Sequence, residues 1–147
     1  MKRLILLITV ITAIFGLTGL GYSASVGKVI KIGNAGAFTG DAAAPCMEIY
    51  NSSQIAVDEW NARGGIKGAK IEQVMGDDAM DPAQGVNVGH KFAADKLIYG
   101  VIGPPMSHIA QATLKIYGAA DLACITTDAS KAELTEQGYK HFFRVNA

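Results

Sequence analysis

The chain has 147 residues, of which 50% are hydrophobic and 7% aromatic, and its 13 Lys and Arg residues balance its 13 Asp and Glu residues. This balance provides no basic surface for nucleic acid, and the hydrophobic fraction excludes an intrinsically disordered chain. The 17 glycines follow no fixed period, which excludes collagen and repeat arrays. The composition fits a glycine-rich globular domain, or a piece of a larger protein.

The N-terminus has the pattern of a secretory signal peptide. Lys2 and Arg3 precede the uncharged stretch 4–20, and small and polar residues follow up to Ser25. An uncleaved membrane anchor is the alternative, because about 17 apolar residues are the least that spans a bilayer. We predict a signal peptide over residues 1–24, so the mature chain is expected in the periplasm or another extracytoplasmic space.

An exported chain enters an oxidising compartment, where the two cysteines, Cys46 and Cys124, could form a disulfide. Cys124 lies in the apolar run 122–125, which predicts a buried strand. Buried free cysteine commonly behaves as a small hydrophobic residue. We therefore favour two free thiols over a disulfide.

Short apolar segments alternate with segments of helical spacing along the mature chain. The predicted strands cover residues 29–33, 70–76, 99–102, 122–127 and 141–145. The predicted helices cover 48–63, a segment that starts with the Asp81 cap and Pro82, 107–120 and 131–137. The first three have apolar faces, formed by Ile49, Ala56 and Trp60, by Val86, His90, Ala93 and Leu97, and by Ala110, Leu114 and Tyr117.

This alternation predicts an α/β fold, in which a parallel sheet carries helices on both faces. Ligands of such folds bind at the carboxyl ends of the strands. Those ends correspond to the loops 34–45, 77–82, 103–107 and 127–130.

The loops lack the motifs of common catalytic and cofactor sites. The glycines after the first strand match neither the dinucleotide-binding nor the P-loop pattern, and the three histidines lack zinc-site spacing. Asp77, Asp78 and Asp81 form an acidic loop, which we interpret as a solvated loop and helix cap; an α/β enzyme that uses Asp77 and Asp78 is an alternative. We predict no catalytic residue, cofactor or metal.

Ser107 and Ser130 each follow a predicted strand and precede a predicted helix. A serine hydroxyl together with the free N–H groups of a first helical turn can bind a small anion such as a carboxylate. Two such helix starts on neighbouring strands could hold one carboxylate from two sides. The alternative, which spacing alone favours, is that both serines are ordinary N-caps.

Several sequence phrases resemble a known family. They are GAFTG at 36–40, DEWNARGGIKGAKIE at 58–72, DDAMDP at 77–82, VIGPPMS at 101–107 and ITTDASKAELTEQGYKHFFRVNA at 125–147. In this order they resemble branched-chain amino acid (leucine/isoleucine/valine-type) substrate-binding proteins of ABC transporters, which are type I periplasmic binding proteins. The resemblance implies two α/β lobes, each built from discontinuous stretches, that close on a ligand. Residues 25–147 would then be the N-terminal part of lobe 1.

The resemblance also implies a ligand site. Ser107 matches a serine that binds the ligand α-carboxylate, Ser130 matches a threonine that binds the same group, and Asp128 stands where a small residue is usual. Pro45 replaces an aromatic residue that touches the ligand side chain. Met106 and Met80 replace a cysteine pair of the family, which implies that this disulfide is absent. We predict Ser107, Asp128, Ser130, Met106 and Pro45 as ligand-binding positions.

The implied function is a non-enzymatic, extracytoplasmic solute-binding protein. It would deliver an amino acid or a related small amide or carboxylate to the permease subunits of an ABC transporter. Asp128 could point into solvent, or it could favour a cationic or amide-bearing ligand. A ligand-sensing receptor domain of the same fold is a further alternative.

Overall fold

The computed structural model describes residues 29–145, so the predicted leader lies outside the described residues. Five strands alternate with four helices in this part of the chain. The elements are β1 (Val29–Gly36), α1 (Ala43–Ala62), β2 (Lys70–Asp77), α2 (Pro82–Ala94), β3 (Ile98–Ile102), α3 (Ser107–Ala119), β4 (Ala123–Thr126), α4 (Glu133–Glu136) and β5 (Phe142–Arg144).

The five strands form one parallel sheet in the order β2-β1-β3-β4-β5. The chain moves from β1 to one side for β2 and to the other side for β3, so the strand order changes direction at β1. Loops at such a point leave a crevice beside the carboxyl ends of the strands. The predicted α/β class and parallel sheet are confirmed.

One face of the sheet carries the main core. Gly33 and Gly76 lack side chains on this face, and the ring of Phe92 from α2 fills the space that they leave. The helix α3 adds Leu114 and Tyr117, which are fully buried. Burial of these apolar side chains against Val101 and its neighbours in the sheet supplies most of the driving force for folding.

The other face carries α1, and its contacts include a polar network. Asn34 Nδ2 of β1 donates to Ser53 Oγ of α1 and to Gln73 Oε1 of β2, both at 3.0 Å. A side chain at Gly36 would meet the buried Cys46 of α1. Helices therefore lie on both faces of the sheet, as predicted.

The helix α1 begins at Ala43, five residues before the predicted start at Glu48. The prediction treated Pro45 as part of the preceding loop. Proline fits the first turn of a helix, where its missing N–H would have no helical acceptor in any case. Pro45 and Cys46 thus belong to α1 rather than to the loop.

Two of the three predicted helix faces were wrong. In α1 the buried residues are Cys46 and Val57, whereas Trp60 is 51% exposed. In α2 the buried residues are those at the contact with α3 and the sheet, whereas His90 is exposed, and Leu97 is exposed and lies beyond the end of the helix. The buried set of α2 is Gly85, Val88, Gly89 and Phe92.

The error in α2 has a specific cause. A Cβ at Gly85 would lie 2.6 Å from Ile109 of α3, so α2 and α3 approach through glycine instead of through large apolar side chains. A search for large apolar residues cannot identify such a face. The predicted face of α3, with Ala110, Leu114 and Tyr117, is buried and is confirmed.

Within residues 29–145, no helix combines the length and the apolar character that a bilayer crossing requires.

Candidate functional site

The loops that follow β3 and β4 are fixed to each other at the carboxyl edge of the sheet. Gly103 N–H donates to the carbonyl of Ile125 at 2.8 Å. Gly103 has a φ of +89°, and a Cβ there would lie 2.1 Å from the carbonyl oxygen of Ala35. Only glycine fits this position, which starts the loop that leads to Ser107.

Buried side chains of β4 strengthen this connection. Thr126 is fully buried, and its hydroxyl donates to the carbonyl oxygen of Pro104 at 2.7 Å while accepting from Ala129 N–H at 3.3 Å. The Cys124 thiol donates to the carbonyl oxygen of Gly103 at 3.1 Å. These contacts position the backbone on both sides of the predicted site, and no sequence motif predicted them. A threonine within an apolar strand is a signal that could have indicated a buried hydrogen bond.

Ser107 is the first residue of α3, and it does not cap the helix. The N-cap is Met106, whose side chain makes no capping hydrogen bond. Ser107 Oγ instead accepts a hydrogen bond from Lys131 N–H at 3.2 Å. The interpretation of Ser107 as an N-cap is therefore wrong, and its hydroxyl faces the loop after β4.

Ser130 lies in that same loop and is exposed. The helix α4 is a single turn that begins at Glu133, with Ala132 as its N-cap, so Ser130 is not a cap either. The structure nevertheless places Ser130 next to Lys131, whose N–H bonds to Ser107. Ser107 at the start of α3 and Ser130 in the loop after β4 thus lie near each other at the carboxyl edge, although neither caps a helix.

The other three predicted positions line one cleft. Pro45, Met106 and Asp128 border a cavity of about 640 Å³, in which Ser107 and Ser130 are not lining residues. Asp128 is exposed, and its Oδ2 accepts from the hydroxyl of Thr127 at 2.6 Å. The remaining lining residues are Cys46, Glu48, Ile49, Ser52, Ser53, Ile102, Pro105 and Thr127.

The Asp77 carboxylate connects the loop after β1 to the loop after β2 through hydrogen bonds. Its carboxylate accepts from Phe38 N–H at 2.8 Å, from the Thr39 hydroxyl at 2.6 Å and from Ala79 N–H at 3.0 Å. Desolvation raises the pKa of Asp77, but these hydrogen bonds to the charged form outweigh it and hold the pKa below its ordinary value. Asp77 is a structural carboxylate.

Asp78 and Asp81 also have structural roles. Asp78 is fully buried, which contradicts the prediction of a solvated loop. Its Oδ1 accepts from Met80 N–H, whereas its Oδ2 has no partner, and burial raises the pKa of its carboxyl. Asp81 caps α2 by accepting from Gln84 N–H, as predicted. The part of the chain that the structure describes contains no group of three His, Cys, Asp or Glu residues that could hold a metal ion.

Cys46 and Cys124 are free thiols and both are buried, in agreement with the prediction. Burial raises the pKa of Cys124 to about 12. A thiol with such a pKa is protonated at neutral pH, so Cys124 acts as a small buried donor and not as a nucleophile.

Comparison with known proteins identifies the family. A family model described as periplasmic binding protein matches residues 29–147. The chain belongs to this family.

Relatives within the periplasmic binding protein family are similar over most of this chain. The Leucine-specific-binding protein of Salmonella typhimurium is 36% identical over 134 residues, which make up 90% of this chain and 36% of that protein. The Leu/Ile/Val-binding protein of Escherichia coli strain K12 is 38% identical over 115 residues, or 78% of this chain and 31% of that protein. The chain spans about a third of the length of these relatives.

Solved structures of this family share the fold. The branched-chain amino acid transporter substrate-binding protein LivJ from Streptococcus pneumoniae, in complex with isoleucine, has a TM-score of 0.74 and 32% identity, and the match covers 80% of this chain and 33% of that chain. An ABC transporter substrate-binding protein from Sphaerobacter thermophilus has a TM-score of 0.72 at 22% identity, which supports the fold alone. The resemblance and the fold that it implied are confirmed.

Proposed function

We propose that this chain is the N-terminal part of lobe 1 of an extracytoplasmic solute-binding protein. In this proposal the protein binds an amino acid or a related small amide or carboxylate, and it delivers the ligand to the permease subunits of an ABC transporter. The names of the relatives support an amino acid as the ligand class. The leader predicted over residues 1–24 supports export.

The observation that carries the proposal is the contact between Ser107 and the loop after β4. Ser107 Oγ accepts from Lys131 N–H and keeps its own hydroxyl hydrogen for donation. The N–H groups of Ser107 and His108, the first two of α3, have no acceptor within the helix, whereas those of Ile109 and Ala110 donate to the Met106 carbonyl. In the proposal these donors bind the ligand carboxylate together with Ser130, which is exposed in the neighbouring loop.

The ligand would meet further groups beyond its carboxylate. Asp128 is exposed two residues before Ser130, and its carboxylate can accept from an ammonium or amide group of a ligand. Met106 adds a flexible apolar contact, and Pro45 offers less contact area than an aromatic ring. This combination favours a small polar ligand over one with a large branched apolar side chain.

The proposal assigns no chemical step to the protein. Asp77 is committed to three hydrogen bonds that hold two loops together, and Asp78 is buried away from the cleft edge. The Asp77 oxygens are thus already occupied by structural hydrogen bonds, and Asp78 has no exposed surface for a substrate to reach. We therefore propose that the protein is not an enzyme.

The test is substitution of the two serines in a full-length, two-lobed version of the protein. A thermal-shift screen against amino acids, amides and aromatic acids identifies a ligand, since a ligand that binds only the folded state raises the melting temperature. Ser107→Ala and Ser130→Ala should each weaken the binding of that ligand by about 1–3 kcal/mol in calorimetry.

Ser52→Ala is the matched control. Ser52 lines the same cleft on the side of α1, and its hydroxyl donates to its own helix at Glu48. We expect unchanged affinity for this variant. If Ser52→Ala weakens ligand binding while Ser107→Ala and Ser130→Ala leave the affinity unchanged, the ligand lies against α1 and the proposed site is wrong.

A further inference from the structure

The cleft at the carboxyl edge contains two acidic side chains that come from separate elements. Glu48 belongs to α1, Asp128 belongs to the loop after β4, and both line the cavity of about 640 Å³. The described residues that line this cavity include no Lys, Arg or His. The cleft is therefore acidic, although acidic and basic residues are equal in number over the whole chain.

The helix α1 presents Glu48 to the cleft. Pro45, Glu48, Ile49 and Ser52 have the spacing i, i+3, i+4 and i+7, which places them on one helix face, and all four line the cavity. The helix starts after β1 at the carboxyl edge and leads away from it, toward the start of β2. At about 1.5 Å per residue, Glu48 lies about 4.5 Å further along the helix than Pro45.

The two carboxylates have no cationic partner in the part of the chain that the structure describes. Neither Glu48 nor Asp128 takes part in an ion pair there. Lys131, the basic residue of the loop after β4, is held elsewhere. Its Nζ donates to Gln111 Oε1 of α3 at 3.2 Å and lies 3.9 Å from Glu133 Oε1.

The negative potential of this region also acts on the Cys46 thiol, which is buried and lines the cleft. Burial raises the pKa of Cys46 most, a backbone hydrogen bond at Ala37 opposes the rise, and the charges of Asp78, Asp128 and Asp77 add to it. A potential that disfavours a thiolate favours a cation in the same space.

A ligand bound at Ser107 can extend into this cleft. Met106 lines the cleft and directly precedes Ser107, so the proposed carboxylate site adjoins the cavity. Ile49 and Ile102 are apolar lining residues that can contact the methylene groups of a ligand. Long cationic side chains combine such an apolar stem with a charged end.

We propose that the ligand is an amino acid with a cationic side chain, such as lysine, and that Glu48 determines this specificity. The proposal rests on the function proposed above. The ligand carboxylate binds at Ser107, its α-ammonium group lies at Asp128, and its stem contacts Ile102. The Glu48 carboxylate accepts a hydrogen bond from the cation at the end of the side chain.

Other occupants satisfy the cleft less well. An amino acid with a neutral side chain supplies one cation for two carboxylates, and a carboxylate that a ligand covers without pairing loses its hydration. A metal ion lacks ligands, since no three His, Cys, Asp or Glu residues come together among the described residues.

The experiment compares lysine with norleucine by calorimetry, in the full-length, two-lobed version of the protein. Norleucine has the same carboxylate, ammonium group and four-carbon side chain, but no cation at its end. We expect lysine to bind about tenfold more tightly, because a hydrogen bond to a charged group is among the stronger ones. Glu48→Gln should remove this preference and leave the affinity for norleucine nearly unchanged.

Glu59→Gln is the matched control, because it makes the same charge change on α1 at a residue that pairs with Arg63 on the surface and does not line the cleft. We expect it to keep the preference for lysine. Ser107→Ala should weaken the binding of both ligands, since both carry the carboxylate.

Equal affinities for lysine and norleucine, with both weakened by Ser107→Ala, would overturn the cationic specificity and leave the proposed function standing. Equal weakening of both ligands by Glu48→Gln would overturn the role of Glu48, as would loss of the lysine preference in Glu59→Gln. Absence of binding by both ligands would overturn this proposal, and the thermal-shift screen would then decide whether the proposed function stands.

Discussion

Buried side chains behind the site determine where its exposed groups lie. Thr126 joins the loops after β3 and β4 through Pro104 and Ala129, and all three residues are buried. We propose that two serines donate hydrogen bonds to the ligand. Ser107 directly follows the loop after β3, and Ser130 lies in the loop after β4. The position of the site therefore depends on hydrogen bonds that never contact the ligand.

Thr126→Val should test this dependence. Valine keeps the shape of threonine but leaves the carbonyl of Pro104 and the N–H of Ala129 without their partner, so we expect a loss of about 2 kcal/mol in the free energy of unfolding. Urea denaturation measures it. Thr127→Val is the control, because the Thr127 hydroxyl bonds only to the exposed Asp128, and its effect should stay within about 0.5 kcal/mol.

Asp78 should make stability depend on pH in an unusual direction. Burial raises its pKa above the ordinary value of 3.8, so the folded protein binds this proton more tightly than the unfolded chain does. This contribution is fully present below pH 3.8 and is lost as the pH rises through the folded pKa. Asp78→Asn removes the charge and keeps an acceptor for Met80 N–H. In urea denaturation the variant should be more stable than wild type at pH 7 and similar to it at low pH.

Asp77 should behave in the opposite way. Its lowered pKa contributes stability that is present above the ordinary value of 3.8 and is lost as the pH falls through the folded pKa. Asp77→Asn should therefore be less stable than wild type at pH 7, with a difference that shrinks in acid. If both variants changed stability in the same direction at pH 7, the assignment of a buried, unpaired carboxyl at Asp78 would be wrong.

The sequence predicted the neighbourhood of the two serines, but the N-cap interpretation of both was wrong. Both serines follow predicted parallel strands, and the carboxyl ends of parallel strands lie at the same edge of a sheet. The strands themselves are predicted from local sequence patterns. The capping prediction was wrong because it required the start of each helix to one residue, and helix boundaries depend on contacts with the rest of the fold. Burial of Asp78 depends on α2 and α3, which no local pattern records.

At the scale of helices, glycine sets the distance between α2 and α3. Gly85→Ala would gain about 1 kcal/mol of helix propensity, but its Cβ would lie 2.6 Å from Ile109, and such overpacking costs about 1–3 kcal/mol. We expect a net loss of stability in urea denaturation. In the matched variant Gly89→Ala the nearest atom is the flexible end of Ile116 at 3.3 Å, so this change should be neutral or stabilising.

The apolar face of α1 shows what amphipathic patterns can and cannot predict. Ile49, Ala56 and Trp60 do share one side of the helix, as the sequence indicated. The prediction that this side faces the described core was wrong, because Cys46, Ser53 and Val57 face the sheet instead. Periodicity identifies an apolar stripe on a helix, but it does not identify the surface against which the stripe packs.

At the scale of the whole molecule, residues 29–145 would supply one wall of the ligand cleft in the two-lobed protein that we propose. Ligand pockets usually bury most of the surface of their ligand. A site on one edge of a sheet leaves much of that surface in water. We expect residues 25–147 alone to bind amino acids more weakly than millimolar. Calorimetry with leucine, glutamine and lysine would check this, and a millimolar or tighter affinity would contradict it.

The most direct test of the proposed site is a nitrogen–proton NMR titration of residues 25–147 with the same three amino acids. We predict that the largest amide shifts occur at residues 106–108 and 127–131, around Ser107 and Ser130, without saturation up to millimolar ligand. Shifts that are largest at the Asp77 loop, or no shift around Ser107 and Ser130 with any of the three ligands, would contradict the proposed site.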